Sequence, residues 1–257
     1  MTPRAQFISF KTIVRKEITR IMRIWSQTLL PPIITQSLYF LIFGKFVGSQ
    51  VAAIHGVSYM AFIIPGLVMM AVIAAAYGNV VSSFFGAKFQ RNIEEVLVSP
   101  TPEWVIISGY TLGGVIRGIV VGFLVFLVSL FFAHPMVNNI WIVLFFMIVT
   151  AVAFSLGALI NGIFARNFDE VAFFQNFILT PLIYLGGVFY SIHNLPAGWQ
   201  VFSWFNPLVY MINGFRYGFL GFSDVPVGVC AGILIGMTVV LATVNVILLK
   251  KGIGIKS

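Results

Sequence analysis

Six long apolar runs dominate this sequence, and each is long enough to cross a lipid bilayer as a helix. They cover residues 28–47, 59–83, 104–133, 140–164, 171–191 and 226–249, and Lys45 and Arg117 are the only charged residues in them. A helix needs about 20 apolar residues to cross the ~30 Å hydrocarbon core. Only 9% of the chain is charged, against about 25% in an ordinary soluble domain. We therefore expect an all-α integral membrane protein with six transmembrane helices, forming a single transmembrane domain over residues 1–257.

The basic residues are distributed unevenly between the two sides of these runs. With the N-terminus in the cytoplasm, only Lys45 and Arg216 fall on the outer side. Twelve fall in cytoplasmic segments: Arg4, Lys11, Arg15, Lys16, Arg20, Arg23, Lys88, Arg91, Arg166, Lys250, Lys251 and Lys256. This bias predicts that both termini are cytoplasmic. It also accounts for the net charge of +8 without a nucleic-acid partner. A long basic segment precedes the first apolar run, and no clear cleavage site follows it, so we expect no signal peptide.

Residues 7–25 have two faces when they are drawn as a helix. Apolar residues recur every three or four positions, at Phe7, Phe10, Val14, Ile18, Ile21 and Trp25. Basic residues occupy much of the remaining surface. A basic amphipathic helix with aromatic residues on its apolar side is typical of the membrane interface. We therefore expect an interfacial helix, with a solvated cytoplasmic arm as the alternative.

Residues 84–100, between the second and third runs, concentrate charge on the cytoplasmic side. Apolar residues recur at intervals of four, at Phe85, Phe89, Ile93 and Leu97. The charged residues lie largely off that stripe: Lys88, Arg91, Glu94 and Glu95. The pattern predicts a short helix that ends at Ser99-Pro100. A plain loop needs no helix with two faces, whereas a docking surface for a soluble partner does.

Residues 192–225 contain two apolar pieces, 199–205 and 208–222, that are too short to cross and are separated by Asn206-Pro207. Backbone at membrane depth must satisfy its own hydrogen bonds. We therefore expect a re-entrant pair of short helices that enters from the outer side. Twelve aromatic residues occur between Tyr184 and Phe222. They are typical of an outer interfacial belt, and a gate or a substrate exit is the alternative.

Arg117 is the one charged residue well inside a predicted span. A charge at that depth is costly and usually faces the bundle interior or water. Its candidate partners are Glu94, Glu95, Asp169 and Glu170, and the alternative is that its side chain extends to the inner interface.

The same span carries glycines at four-residue spacing, namely Gly114, Gly118 and Gly122, with Gly109 and Gly113 offset by one. Small residues at this spacing let helices approach closely in lipid. The sequence therefore predicts a tightly packed helix here.

Chemistry-bearing motifs are absent from the sequence. There is no G-x-x-x-x-G-K-[ST] loop for ATP, no H-E-x-x-H and no G-x-S-x-G. His55, His134 and His193 lie far apart, and Cys230 is the single cysteine, so we expect no metal site and no disulfide. No Asp or Glu lies in the six runs, which disfavours a proton- or sodium-coupled carrier. We expect a chain that is not an enzyme and binds no cofactor.

Several of these features occur together in the permease subunits of ABC-2 type exporters, and this chain resembles them over essentially its whole length. The most specific likeness is PL at 181–182, LGGVFY at 185–190, LP at 195–196, NPL at 206–208 and Arg216. Residues 90–91 (QR), 94–97 (EEVL) and Pro100 are similar to the family's cytoplasmic coupling helix. Residues 84–91 (FFGAKFQR) and 214–221 (GFRYGFLG) are similar to a bacterial inner-membrane branch. At positions 92–93, within this coupling helix, the chain has Asn-Ile where the family has Thr-Leu.

The resemblance implies a homodimer in the bacterial inner membrane, bound to two copies of a separate P-loop ATPase that uses ATP and Mg. It assigns the ATPase contact to Phe89, Gln90, Arg91, Glu94 and Glu95. It assigns the re-entrant motif to Gly186, Gly187, Pro196, Asn206, Pro207 and Arg216. The aromatic outer segment suggests a lipid-like or amphipathic cargo. The alternatives are a stand-alone channel or secondary carrier, and a membrane-embedded enzyme.

Overall fold

The computed structural model of the chain describes residues 1–51, 53–54, 56–93, 95, 99–133 and 135–254. Within these ranges the backbone is almost entirely helical, and its only extended pairing is an isolated bridge between Ile54 and Val57. The long helices are α1 (Pro3–Arg23), α2 (Trp25–Tyr39), α3 (Tyr59–Phe89), α4 (Glu103–Ser129) and α5 (Ile140–Phe164). They are followed by α6 (Phe168–Phe173), α7 (Thr180–Tyr184), α8 (Ala197–Trp204), α9 (Pro207–Leu220) and α10 (Val227–Lys251). The fold class is therefore all-α, as expected.

Five helices in the described ranges are long and apolar enough to cross a membrane. They are Trp25–Val47, Tyr59–Phe89, Glu103–Ser129, Ile140–Phe164 and Val227–Lys251. In the first of these, α2 continues through a π-helical stretch, Phe40–Val47. These five correspond to the first four predicted spans and the last one.

The predicted span 171–191 takes a different form. It consists of α6, a π-helical stretch (Phe174–Leu179) and α7, which have 6, 6 and 5 residues. Helix ends at Tyr184 because Gly187 has a φ of +80°, a conformation that a helix does not contain. At 1.5 Å per residue the helical part is shorter than a bilayer core, so the sixth span stays a prediction.

Helix α3 lies at the centre of the bundle, packed against α4, α5 and α9, and most of its side chains are buried. Helices α2 and α10 lie at the periphery, where few of their side chains are fully buried and several apolar ones are exposed, such as Leu30, Ile34, Val239 and Val240. An exposed apolar helix surface is what a lipid environment requires.

The glycines of α4 occupy two different contacts. A Cβ at Gly118 would lie 3.2 Å from Ala76 Cβ on α3, and one at Gly122 would lie 2.5 Å from Val72 Cγ2. Gly114 contacts α3 and also α5. The offset pair, Gly109 and Gly113, faces α1 instead. The row Gly114, Gly118 and Gly122 thus lies against α3 and α5, where any side chain would require movement.

The predicted helix over 84–100 is divided in the structure. Phe84 and Phe85 belong to α3 and are buried. The chain then turns at Arg91, which has a φ of 61°, an uncommon conformation for a residue with a Cβ. Helical backbone resumes at Asn92 and Ile93. Residues 94 and 96–98 lie outside the described residues.

Candidate functional site

The predicted contact residues that the structure describes lie exposed at and just after the end of α3. The Phe89 side chain is 60% exposed, and Gln90, Arg91 and Glu95 are exposed as well. Gln90 terminates α3, and its side-chain oxygen accepts a hydrogen bond from Asn92 Nδ2 at 3.1 Å. Glu94 is outside the described residues. An aromatic ring left largely uncovered beside charged groups is suited to a protein partner.

Phe89 does not stand alone, because the beginning of α6 meets the end of α3. The rings of Phe89 and Phe168 have centroids 5.0 Å apart, and Phe168 also meets Phe85 edge-on at 4.9 Å. Phe168 is itself 55% exposed. The sequence analysis missed Phe168, since nothing in the spacing of the apolar runs indicates that the segment after α3 and the segment after α5 touch.

Lys88 joins the same two connections through the backbone. Its Nζ donates to the carbonyl oxygens of Ile163 at 2.5 Å and Ala165 at 2.9 Å. These carbonyls belong to the end of α5, where a cation is favoured by the helix dipole. We call Lys88, Phe89, Phe168 and the turn at 90–93 the cytoplasmic platform, after the side of the membrane that the distribution of basic residues predicts for it. Its parts are held together by contacts that the sequence did not predict.

Helix α1 turns a mixed face towards the bundle, since Ile21 of the predicted apolar stripe is buried and Phe10 and Val14 are partly buried. Phe7, Ile18 and Trp25 of the predicted apolar stripe are exposed, whereas Glu17 is fully buried. Arg20, expected on a solvated face, reaches inward to Asn79 of α3. Lys11, Arg15, Lys16 and Arg23 are exposed as well, so the outward surface of α1 carries both apolar and basic residues, a combination typical of an interfacial helix. The predicted bounds of 7–25 compare with Pro3–Arg23 observed.

Arg117 pairs with none of its described candidate partners. Within the described ranges the one salt bridge joins Arg20 and Glu17, so Glu95, Asp169 and Glu170 are not partners of Arg117. Glu94 lies outside the described residues.

Arg117 instead donates from Nη2 to the carbonyl oxygen of Thr28 at 3.3 Å. Pro32 is the residue four positions after Thr28 within α2, and proline has no N–H to donate to that carbonyl. A neighbouring helix can supply the missing hydrogen bond in a membrane. The sequence showed both residues but not that they meet.

Two short helices, α8 and α9, occupy the predicted re-entrant segment. Pro196 precedes α8, and Pro207 is the first residue of α9. Asn206 caps α9: its Oδ1 accepts from Leu208 N at 3.1 Å, and its Nδ2 donates to Leu182 O at 2.7 Å. This one side chain therefore starts α9 and connects it to α7. How deeply the pair enters the membrane stays a prediction.

Arg216 of α9 is fully buried and reaches the Gly186-Gly187 turn. Its Nη2 donates to Gly187 O at 2.5 Å, and its Cζ lies 4.0 Å from the ring centre of Phe62. Gly186 has no room for a side chain, since a Cβ would lie 2.8 Å from Ile212 Cδ1. The structure thus brings Arg216 to the Gly186-Gly187 turn, which lies far from it in the sequence. Arg216 was counted as an outer loop charge but is an internal one.

Asp224 and Asn213 extend this polar region. Asp224 accepts hydrogen bonds from Ser191 Oγ at 2.8 Å and from Ile192 N at 2.9 Å. The backbone N–H of Asp224 donates to Asn213 Oδ1 at 3.0 Å. These bonds hold the chain after α9 against the turn before α8. Sequence reasoning assigned no role to either residue.

The aromatic residues of the outer segment fall into two sets. Tyr184 and Phe189 contact the first span, with Tyr184 Oη 2.5 Å from Tyr39 Oη and the Phe189 ring 4.5 Å from that of Phe43, although Tyr184 itself is exposed. On and after α8, Trp199, Phe202 and Phe205 are exposed. The exposed set fits an interfacial belt. The packed set joins α2 to the segment after α7.

Within the described ranges, no group of three or more His, Cys, Asp and Glu side chains is arranged to hold a metal ion. The His193 side chain is exposed, while His55 and His134 lie outside the described residues.

Comparison with known proteins gives a consistent result. A family model described as "ABC-2 type transporter" matches residues 8–220. The chain is 54% identical over 251 residues to "Inner membrane transport permease YadH" of Escherichia coli (strain K12), covering 98% of each chain, and to the protein of that name in Shigella flexneri. "Nodulation protein J" of Rhizobium leguminosarum bv. viciae is 27% identical over 226 residues, 83% of each chain. With apolar helices long enough to span a membrane and a match over most of its length, the chain belongs to the ABC-2 type transporter family.

Proposed function

We propose that this chain is the permease subunit of an ATP-binding cassette exporter. Two copies form a homodimer of six-span subunits, and two copies of a separate P-loop ATPase bind ATP and Mg. The observation that carries the proposal is the cytoplasmic platform. It exposes Phe89 and Phe168, and the exposed Glu95 follows it in the chain, on a family member whose sequence has no P-loop of its own.

The platform supports force transfer because its parts are joined to the bundle. Phe89 ends the central helix α3, and Lys88 bonds the end of α5. A push on the platform therefore reaches two packed helices at once. Packed elements transmit such movements because they have discrete arrangements rather than deforming continuously.

The cargo that we propose is a hydrophobic or amphipathic solute, exported from the cytoplasm or the inner leaflet. The proposal is supported by the aromatic residues of α8 and by the apolar surfaces of α2 and α10. The name "transport permease" of the Escherichia coli relative agrees with a transport role. We place the chain in the inner membrane with both termini cytoplasmic, which follows from the twelve-to-two count of basic residues.

The test is a charge reversal at the two glutamates that follow the turn in the chain and that the resemblance assigns to the ATPase contact, Glu94→Lys with Glu95→Lys. Like charges brought together at an interface can cost several kcal/mol, so ATPase affinity should fall about a hundredfold or more, at ~1.4 kcal/mol per factor of ten. The measurement is the amount of P-loop ATPase that co-purifies with the tagged permease from native membranes, together with its ATP hydrolysis.

The control is Lys45→Glu, which reverses an exposed charge at the predicted outer end of the first span. Asp224, another charge outside the predicted spans, is unsuitable as a control because its carboxylate accepts hydrogen bonds from Ser191 and Ile192. Both variants should insert and purify normally, and only the glutamate variant should lose the ATPase. Equal ATPase retention in the two variants would show that the platform is not the coupling site.

A further inference from the structure

Glu17 is the feature of α1 that the proposed function leaves unexplained. It lies midway along a helix at the membrane surface, yet none of its surface is exposed. Buried carboxylates are rare unless they are paired and hydrogen-bonded. Glu17 must therefore be held by specific partners.

Both carboxylate oxygens of Glu17 have partners. Oε2 accepts from Arg20 Nη2 at 3.0 Å and from Asn79 Nδ2 at 3.2 Å, and Oε1 accepts from the hydroxyl of Ser83. Asn79 and Ser83 are one turn apart on α3, and both are buried. A single side chain of α1 is thus bonded to two successive turns of the central helix.

Arg20 completes the connection. Its Nη2 also donates to the backbone oxygen of Asn79 at 3.0 Å and to Asn79 Oδ1 at 2.9 Å. Asn79 therefore donates to the acid and accepts from the base. We call Glu17, Arg20, Asn79 and Ser83 the α1–α3 polar cluster. A cluster with these complementary donors and acceptors allows one relative position of the two helices.

Backbone packing does not explain the junction between α1 and α3. The main-chain neighbour of α1 is α4, where a Cβ on Gly113 would lie 2.7 Å from the Glu17 Cβ and Cγ. The backbones of α1 and α3 scarcely touch, and long polar side chains bridge the gap. The cluster is therefore the specific connection between these two helices.

The position of the cluster along α3 determines how movement at the end of α3 reaches α1. Asn79 precedes Phe89, the last residue of α3, by ten residues, or about 15 Å along a helix axis. The cluster lies between the cytoplasmic platform and the middle of the bundle. Any movement of the platform that turns or shifts the end of α3 must also move α1.

We propose that the α1–α3 polar cluster makes α1 and the cytoplasmic half of α3 a single rigid body in transport, with Glu17 and Arg20 as positioning residues. Movement received at the platform is then delivered along α1 to the inner membrane surface. The existence of the rigid body is independent of the proposed function, whereas the delivery of ATP-driven movement rests on it.

The test uses the full chain with its co-purified ATPase, in a Cys230→Ala background. Spin labels are placed at Thr19→Cys on α1 and Gly78→Cys on α3. Thr19 is exposed, and a side chain at Gly78 meets open space. A second pair joins Thr19→Cys to Lys251→Cys, at the exposed end of α10. Distances are measured without nucleotide and after trapping with ATP and vanadate.

The variant is Glu17→Gln with Arg20→Gln, which removes both charges together. Removing one alone leaves an uncompensated buried charge and endangers folding. The control is Asp169→Asn, an exposed carboxylate on the same side of the membrane. Without nucleotide, the α1–α3 distance should be narrow in the parent and control and broad in the variant.

On trapping, the α1–α3 distance in the parent should stay constant while the α1–α10 distance changes. The variant should retain its ATPase but hydrolyse ATP about tenfold more slowly, within the range of coupling between distant sites. Unchanged hydrolysis and a narrow distance in the variant would overturn the proposal, as would a changed α1–α3 distance in the parent. If no ATPase co-purifies with the parent, the proposed function fails, and the nucleotide-free distances still decide whether the rigid body exists.

Discussion

Each buried or half-buried basic side chain singled out above donates to a main-chain carbonyl. Arg216 donates to Gly187 O, Arg117 to Thr28 O, and Lys88 to Ile163 O and Ala165 O. The chain has 15 basic residues but only 7 acidic ones, so most buried cations have no carboxylate available. Carbonyls freed by a proline, a turn or a helix end are acceptors that lack a backbone partner. At the scale of the residue, these cations therefore stabilise irregular backbone.

The pair of Arg117 and Pro32 provides a test of this role. Arg117→Met should leave the Thr28 carbonyl without a donor, a loss of about 1–3 kcal/mol for an unsatisfied buried group. Pro32→Ala would supply the missing N–H. We therefore expect Arg117→Met to cost about 1 kcal/mol less in the Pro32→Ala background than in the parent. The measurement is a double-mutant cycle on thermal or denaturant unfolding in detergent, and additive effects would contradict the assignment.

At the scale of the element, the segment from α6 to α9 differs most from an ordinary span. Its helix includes a π-helical stretch and stops at Tyr184. The following turn is held by Arg216 from one side and by Asp224 bonded to Ile192 from the other. Helix α9 is packed against α3, α5 and α10. Helix α9 therefore forms part of the bundle, whereas α8 lies outside it with Trp199 and Phe202 exposed.

The turn at Gly187 makes a direct prediction about stability. Gly187→Ala meets no close atom, since the nearest to a Cβ is Tyr190 O at 3.4 Å, but the φ of +80° remains. Left-handed backbone costs a residue with a Cβ about 1–2 kcal/mol. The unfolding midpoint should fall by about 2–8 °C, at about 2–4 °C per kcal/mol for a chain of this size.

Gly236→Ala is the matched control for that substitution. Gly236 lies inside α10 with open space around it and no positive φ. Alanine is favoured over glycine in a helix by about 0.5–1 kcal/mol, so this variant should be neutral or slightly more stable. A midpoint for Gly187→Ala that equals that of Gly236→Ala would show that the turn is not strained by a side chain.

At the scale of the whole molecule, a buried central helix is surrounded by helices whose outer surfaces are apolar. Helix α3 is the buried one, while α2 and α10 bury few of their side chains fully. The cytoplasmic platform and the α1–α3 polar cluster lie towards one end of α3, and the Arg216 contact with Phe62 lies towards the other. The two ends of the bundle thus carry different chemistry, which agrees with a molecule that has a fixed orientation.

That orientation is tested by labelling single cysteines in intact cells, in a Cys230→Ser background. Asn92→Cys and Ile253→Cys should react only after the membrane is permeabilised. Gln50→Cys and Asn194→Cys should react with an impermeant reagent added outside. All four positions are exposed, so access depends on the side of the membrane. Outside labelling at residue 92 would invalidate the orientation and, with it, the proposed coupling site.

The sequence by itself determined the membrane class, the helical fold and the family likeness. The apolar runs are local in the chain, as are the motifs around Gly186, Asn206 and Arg216. An apolar segment long enough to cross a bilayer must satisfy its backbone hydrogen bonds there, which a helix does within one segment. Five of the runs accordingly appear as helices long enough to cross a membrane. Spacing also predicted the close packing of the α4 glycines.

Only the tertiary structure decided which polar groups meet. Glu17 was overlooked because a count of apolar spacing assigns every charged side chain to water. In the structure its carboxylate accepts a hydrogen bond from Asn79 of α3. Arg117 was assigned to carboxylates, but its partner is a carbonyl freed by Pro32. Phe89 and Phe168 are far apart in sequence and touch in space. These contacts depend on the relative rotation and depth of separate helices, which are set by packing between them and leave no periodic signal in either one alone.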